Sequence, residues 1–193
     1  MVKNGILLLL LIFMFSFCKD KVKKFDGFTQ NEMEYLLASD ELKVWERISQ
    51  EEDGETIIPG DCGIDNYLIF IQGKLGEPKP LLYAYNPQIC DSLDFCKLHT
   101  DFCQADTAFC NVDPLFCESL GDGVLYIGSW FAKEPFIENS RSDTLIFDIN
   151  NKIESIFVTN ISSENATFLY KNRKGDEGGI ITEVYNYSPP ISE

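Results

Sequence analysis

Apolar residues recur at two periods along this chain. Met33, Leu36 and Leu37 fall on one helical face. Thr29 ahead of them and Glu32 three residues later have capping-box spacing, which predicts a helix over Gln30–Ala38. From Leu42 onward the pattern changes to alternation or to compact apolar runs. Strands are predicted over residues 42–49, 66–72, 81–85, 124–133, 143–149, 153–161, 166–170 and 180–187. The clearest alternation places Leu145, Phe147 and Ile149 on one face, and Gly128 inside its strand marks a bend or bulge. Glu51-Glu52-Asp53-Gly54, Asn86-Pro87 and residues 174–179 read as turns or loops, and Asn150-Asn151-Lys152 as a tight hairpin. Pro189-Pro190 ends the pattern. Short strands with short connections predict a mainly β fold, either a sandwich or an antiparallel up-and-down barrel of about eight strands with one N-terminal helix. The local order of the later strands favours a meander, and closing a meander removes its exposed edges.

Residues 88–119 break this rhythm. Phe-Cys pairs recur at 95/96, 102/103, 109/110 and 116/117, a seven-residue repeat, with Cys90 ahead of them. A heptad suggests a helix, with Phe95, Leu98, Phe102, Ala105, Phe109, Val112 and Phe116 at its seam positions, but Pro114 interrupts it. On a straight helix, successive cysteines stand about 10 Å apart at roughly 1.5 Å per residue. A disulfide needs Cα atoms within about 7 Å. The reading favoured here is therefore a set of looped turns pinned by disulfides among Cys62, Cys90, Cys96, Cys103, Cys110 and Cys117, an even set. A thiolate metal site is the alternative, although the spacings do not suit structural zinc and His99 is the only imidazole.

The N-terminus supplies an address. Lys3 precedes an apolar run over residues 6–15 that is shorter than a membrane span. Phe15-Ser16-Phe17 is bulky for an ordinary signal-peptidase site, and Cys18 follows. Residues 1–17 therefore read as a lipoprotein signal, Cys18 as the lipidated first mature residue, and residues 18–27 as a tether. The chain is expected in the bacterial cell envelope as an outer-membrane lipoprotein, periplasmic or surface-facing, held to the membrane by acyl chains. Disulfides persist in that compartment.

The net charge of −15 argues against nucleic acid as a partner, since phosphate binding needs clustered bases. Within the insertion Lys97 faces Asp91, Asp94, Asp101, Asp106 and Asp113, so a partner there would be basic or a cation. No calcium loop or phosphate loop is present. His99 is the single histidine, so a hydrolase triad would have to use it, yet no nucleophile elbow accompanies it; a solvated loop histidine is expected instead. No catalytic residue, metal site or cofactor is assigned.

Several short motifs occur in a definite order: Lys43-x-Trp45; Cys62-Gly63-Ile64-Asp65-Asn66-Tyr67-x-x-Phe70; Gly128-Ser129-Trp130; Leu145-Ile146-Phe147; Ile153-x-x-Ile156-x-Val158; and Ala166-Thr167-Phe168-Leu169-Tyr170. This order resembles the lipocalin-like lipoproteins of Bacteroidota, with Asn66 where the second acid of the family motif often stands. The resemblance implies a small envelope-tethered β-barrel over residues 28–188, interrupted by the cysteine-rich segment. It implies no particular ligand. In such a barrel Trp45, Phe70, Trp130, Phe147 and Tyr170 are expected inside, and binding of a small apolar ligand or a protein partner is the expected role. It also makes Asp-Ser/Thr sites candidate O-glycosylation acceptors, here Ser92, Thr107 and Thr144.

Overall fold

The computed structural model describes residues 27–133, 141–171 and 178–189. The signal segment and Cys18 lie outside the described residues, as does most of the 174–179 loop. Helix α1 (Gln30–Ala38) precedes strands β1 (Leu42–Glu52) and β2 (Glu55–Thr56), a short 3-10 turn (Asp61–Gly63), β3 (Tyr67–Ile71) and β4 (Lys79–Ala84). Three helices follow, α2 (Ser92–Leu98), α3 (Thr100–Cys110) and α4 (Pro114–Ser119). The chain then returns as β5 (Val124–Ala132), β6 (Thr144–Ile149), β7 (Lys152–Ile161), β8 (Asn165–Lys171) and β9 (Ile180–Ser188).

Every strand of the sheet pairs antiparallel with its neighbour, and β1 pairs with both β3 and β9. The sheet therefore closes into an eight-stranded up-and-down barrel, with β2 attached outside that circuit to the end of β1. The eight predicted strands are these eight. The sequence pattern did not show β2, because two residues carry no period.

Local chemistry sets the corners. The capping box forms: the Glu32 N–H donates to Thr29 Oγ1 and the Thr29 N–H to Glu32 Oε2. Asn150 and Asn151 both take positive φ, as do Asp53 and Gly54, the backbone needed for two-residue hairpins that follow the strand twist. Gly128 sits at φ +151°, and a Cβ there would overlap the carbonyl oxygen of Asp148. Beside it the register against β4 shifts, leaving Ile127 as the extra residue of a bulge.

One end of the barrel is plugged by α1. Met33 and Leu37 are buried, and Leu36 packs at the edge of the core. The Lys43-x-Trp45 motif ends this helix. Lys43 Nζ donates to Leu36 O at 2.9 Å and Trp45 Nε1 to Leu37 O at 2.8 Å, satisfying carbonyls that a helix end leaves open. Burial lowers the pKa of Lys43, whose ammonium also lies 4.6 Å from the centre of the Trp45 ring. Behind the helix Glu34 and Lys79 form a buried ion pair at 2.8 Å. Glu34 Oε1 also accepts the Ala132 N–H, and Lys79 Nζ donates to Glu77 O. Above this plug Phe70 stands edge-on to Trp130 with ring centres 5.0 Å apart. Trp45, Phe70 and Trp130 are buried, so aromatic rings pack the plugged half.

Candidate functional site: a lidded cavity at the open end

The opposite half of the barrel contains a cavity of about 760 Å³. Its walls are the inward side chains of the strands, Leu68, Ile127, Phe147, Ile149, Ile156 and Phe168 among them. Its cover is the helical segment between β4 and β5, which contributes residues 98–102, and the loop between β2 and β3, which contributes Ile57, Ile58 and Pro59.

The cover corrects the expectation of non-helical looped turns. The cysteine-rich segment is helical, and its cysteines are also paired: Cys62–Cys90, Cys96–Cys103 and Cys110–Cys117, with Cα separations of 4.8, 5.7 and 5.6 Å. Helix and disulfide exclude one another only on a straight helix. Here α2 ends at His99, whose backbone (φ −120°, ψ 54°) leaves the helical region, and α3 starts at Thr100. A second break follows Cys110, after which Asp113 caps α4 and Pro114 opens it. Each seven-residue disulfide spans one of these breaks. Cys62–Cys90 ties the base of the lid to the 3-10 turn beside it, where the start of β3 and the end of β4 pair at the rim. With all six thiols oxidised, Asp106 beside Cys110 and Cys117 has no thiolate to share a metal with.

The repeating phenylalanines face the barrel. Phe95 stacks on Tyr85 with ring centres 4.1 Å apart, Phe102 packs on Tyr83 at 5.1 Å, and Phe109 stacks on Tyr126 at 3.8 Å. Phe116 leans on Phe109. Polar contacts fix the lid further: Asp106 Oδ1 accepts the Tyr126 N–H at 2.9 Å, and Asp101 pairs with Lys152 at 2.7 Å. Burial raises the Asp106 pKa, opposed by that backbone hydrogen bond.

His99 is not the solvated loop residue expected. It is half-buried, with its ring 4.6 Å from Phe95 and 5.4 Å from Phe102, and it lines the cavity. Thr100 and Asp101 line the same cavity, but each has a partner elsewhere. The Thr100 hydroxyl donates to Cys96 O, and Asp101 pairs with Lys152.

Sequence reasoning missed the polar centre of the cavity. Arg47 Nη1 donates to Glu183 Oε1 at 3.1 Å, Arg47 Nη2 donates to Gly63 O at 3.1 Å, and Tyr185 Oη donates to Glu183 Oε2 at 2.8 Å. The Arg47 and Glu183 side chains are only 13% and 8% exposed. Tyr83, 5% exposed, completes the group, and its hydroxyl has no protein hydrogen-bond partner. Burial works against the charge on Arg47, but Tyr83, Tyr185 and Glu183 outweigh it, and the pKa is raised. Burial also raises the pKa of Tyr83, with Glu183 adding to the shift and Arg47 opposing it. Tyr185 is raised too, mainly by burial. Both phenols stay protonated at neutral pH. The signal was available in the alternation: Arg47 is in phase with Lys43 and Trp45, and Glu183 with Ile181 and Tyr185. A polar residue at an inward position of a barrel strand marks a site. A bulge at Ile48 then reverses the parity of β1, which turns Gln50 and Glu52 toward the cavity mouth.

Of the five expected interior residues, Trp45, Phe70 and Trp130 belong to the filled half. Phe147 forms part of the cavity wall, and half-buried Tyr170 stands at its rim. Ser92 and Thr107 are exposed on the lid helices, whereas Thr144 is half-buried on β6 with its hydroxyl on Asp143.

Comparison with protein-family models, with curated proteins and with solved structures returned no match.

Proposed function

We propose that this chain is an envelope lipoprotein whose barrel holds a small, largely apolar molecule, in a binding role without catalysis. The observation that carries this reading is the cavity itself. Eight-stranded barrels have interiors that side chains just fill, or that hold one small ligand. Here aromatic rings fill one half, and the other half keeps about 760 Å³ lined mainly by aliphatic and aromatic side chains. Small-molecule sites commonly measure roughly 300–1,000 Å³. The lid supports the same reading, because this disulfide-stapled segment covers part of the mouth of the cavity. The envelope address rests on residues 1–18 and on the motif order that resembles lipocalin-like lipoproteins.

Native mass spectrometry of protein purified from its own envelope tests the binding role. A mass excess removed by organic extraction is expected. Bare protein that also fails to bind the neutral fluorophore N-phenyl-1-naphthylamine would refute it. Metabolic labelling with a fatty-acid analogue tests the anchor: label is expected on the wild type and absent from Cys18→Ser.

A further inference from the structure

Aliphatic side chains stay exposed where the base of the lid meets the barrel rim. Ile58 and Ile64 lie in the connection between β2 and β3, and Ile89, Leu93 and Leu98 lie in α2 or just ahead of it. All five are exposed, Ile58 at 87% and Leu93 and Leu98 at 67% and 68%. They are also held together. Cys62–Cys90 joins the two segments beside Ile64 and Ile89, and Ile58 and Leu98 border the same cavity. Single exposed aliphatics are ordinary, but a group fixed on one face marks an interaction surface. The charge around this group has one sign. Residues 53–66 and 85–123 hold eleven acids against one base, Lys97, which pairs with Asp94. Asp101 is likewise spent on Lys152. Asp61, Asp65, Asp91 and Asp122 form no ion pair among the described residues. Asp61 and Asp65 bracket Ile64 in the sequence. Burial, and after it Asp91, Asp106 and Asp122, raise the pKa of Tyr85, so these carboxylates gather about the ring on which Phe95 stacks.

That combination decides the occupant. A metal cation would neutralise carboxylates and leave the aliphatic side chains in water. A second copy of this chain, with its net charge of −15, or an anionic bilayer, would be repelled. The proposed anchor lies on the other side: Phe28 bridges to Ser142 ahead of β6, so the tether leaves from the plugged end. We propose that this face docks a protein partner that presents lysine or arginine beside apolar side chains. Ile89 and Leu93 sit at the centre of the contact, with Asp61, Asp91 and Asp122 around them. The apolar contacts supply affinity, and the carboxylates orient the encounter. The partner then lies against Ile58 and Leu98, at the edge of the cavity mouth. This inference goes beyond the binding role and does not depend on what the cavity holds.

The test uses purified protein with its disulfides intact and a short fluorescein-labelled peptide of leucine and lysine, with leucine along one helical face. Fluorescence anisotropy at about 0.15 M salt is expected to show binding. The counterpart with glutamate for lysine is expected to bind about tenfold more weakly or worse. Ile89→Gln/Leu93→Gln and Asp61→Asn/Asp122→Asn are each expected to weaken the lysine peptide about tenfold. Leu75→Gln and Asp40→Asn/Glu41→Gln make the same kinds of change at the plugged end and are expected to shift it by less than about twofold. All these side chains are exposed, so the variants are expected to fold, as far-UV circular dichroism would check. Should one pair misfold, the other pair and the preference between the two peptides still decide. An equal loss in the plugged-end variants would overturn the inference, because net charge alone would then attract the peptide. Equal binding of the two peptides would also overturn it. So would protein that ignores the peptide but binds phosphatidylcholine vesicles through Ile89 and Leu93, which would assign the face to a membrane. N-phenyl-1-naphthylamine binding on the same samples reports the cavity role separately.

Discussion

Trp45 Nε1 lies 2.8 Å from the carbonyl oxygen of Leu37, so a side chain of the barrel wall terminates the helix that plugs the barrel. Both groups are buried, and neither has water as a substitute partner. Trp45→Phe is expected to cost about 2–4 kcal/mol, from a carbonyl left unpaired and from lost ring volume. Urea unfolding should show the loss as a lower midpoint with an unchanged slope.

The three disulfides should not contribute equally. Cys62–Cys90 closes a sequence separation of 28, whereas the two lid bridges each close 7. On chain entropy alone the first is worth about 3.5 kcal/mol and each of the others about 2.5 kcal/mol. A Cys62→Ala/Cys90→Ala variant is therefore expected to lose more stability than Cys110→Ala/Cys117→Ala. It should also speed amide exchange in the lid helices more than in β6 and β7, because it frees the lid's base.

Glu34 and Lys79 are each almost fully buried, and each depends on the other. Lys79→Met leaves a carboxylate buried without its cation and is expected to cost about 3–5 kcal/mol. The double variant Glu34→Leu/Lys79→Met should recover most of that loss. A double-mutant cycle in thermal unfolding measures it; a double variant as unstable as the sum of the singles would disprove the dependence.

Acid should loosen α1 through Glu32. The Thr29 backbone N–H, then its hydroxyl, and to a smaller degree Arg141 hold the Glu32 carboxyl below its ordinary value near 4.5. A folded pKa below the unfolded one means that the contribution is complete above the unfolded value and is lost as pH falls through the folded one. The gap in melting temperature between wild type and Glu32→Ala is expected to be widest near neutrality and to shrink below about pH 4.5. A gap that stays constant into strong acid would show that the ionised carboxylate is not what caps the helix.

How much of this was readable from the residues follows from how local each signal is. Asn150-Asn151, Gly128 and the Thr29–Glu32 pair each impose a backbone geometry within a few positions, and each appears where the sequence placed it. The barrel strands were readable because burial on one face writes a period of two. The helical lid was not, because His99 breaks a helix without glycine or proline, and the break is what brings Cys96 to Cys103. Arg47 and Glu183 lie 136 positions apart and meet only once β1 pairs with β9. Alternation assigns a side chain to a face, but its partner is set by closure of the sheet.

The two lid bridges carry a consequence for how such a chain can change over generations. Each spans the same seven positions and joins a helix to the next one, and the lid's covalent tie to the rim is Cys62–Cys90 at its base. Beyond Cys96 the cover is held to the barrel by side chains alone, Phe102 on Tyr83, Phe109 on Tyr126 and Asp106 on the Tyr126 N–H, until the chain enters β5. A Phe-Cys step gained or lost there would have to keep those contacts in place, so the span of the cover is tied to the spacing of the tyrosines beneath it.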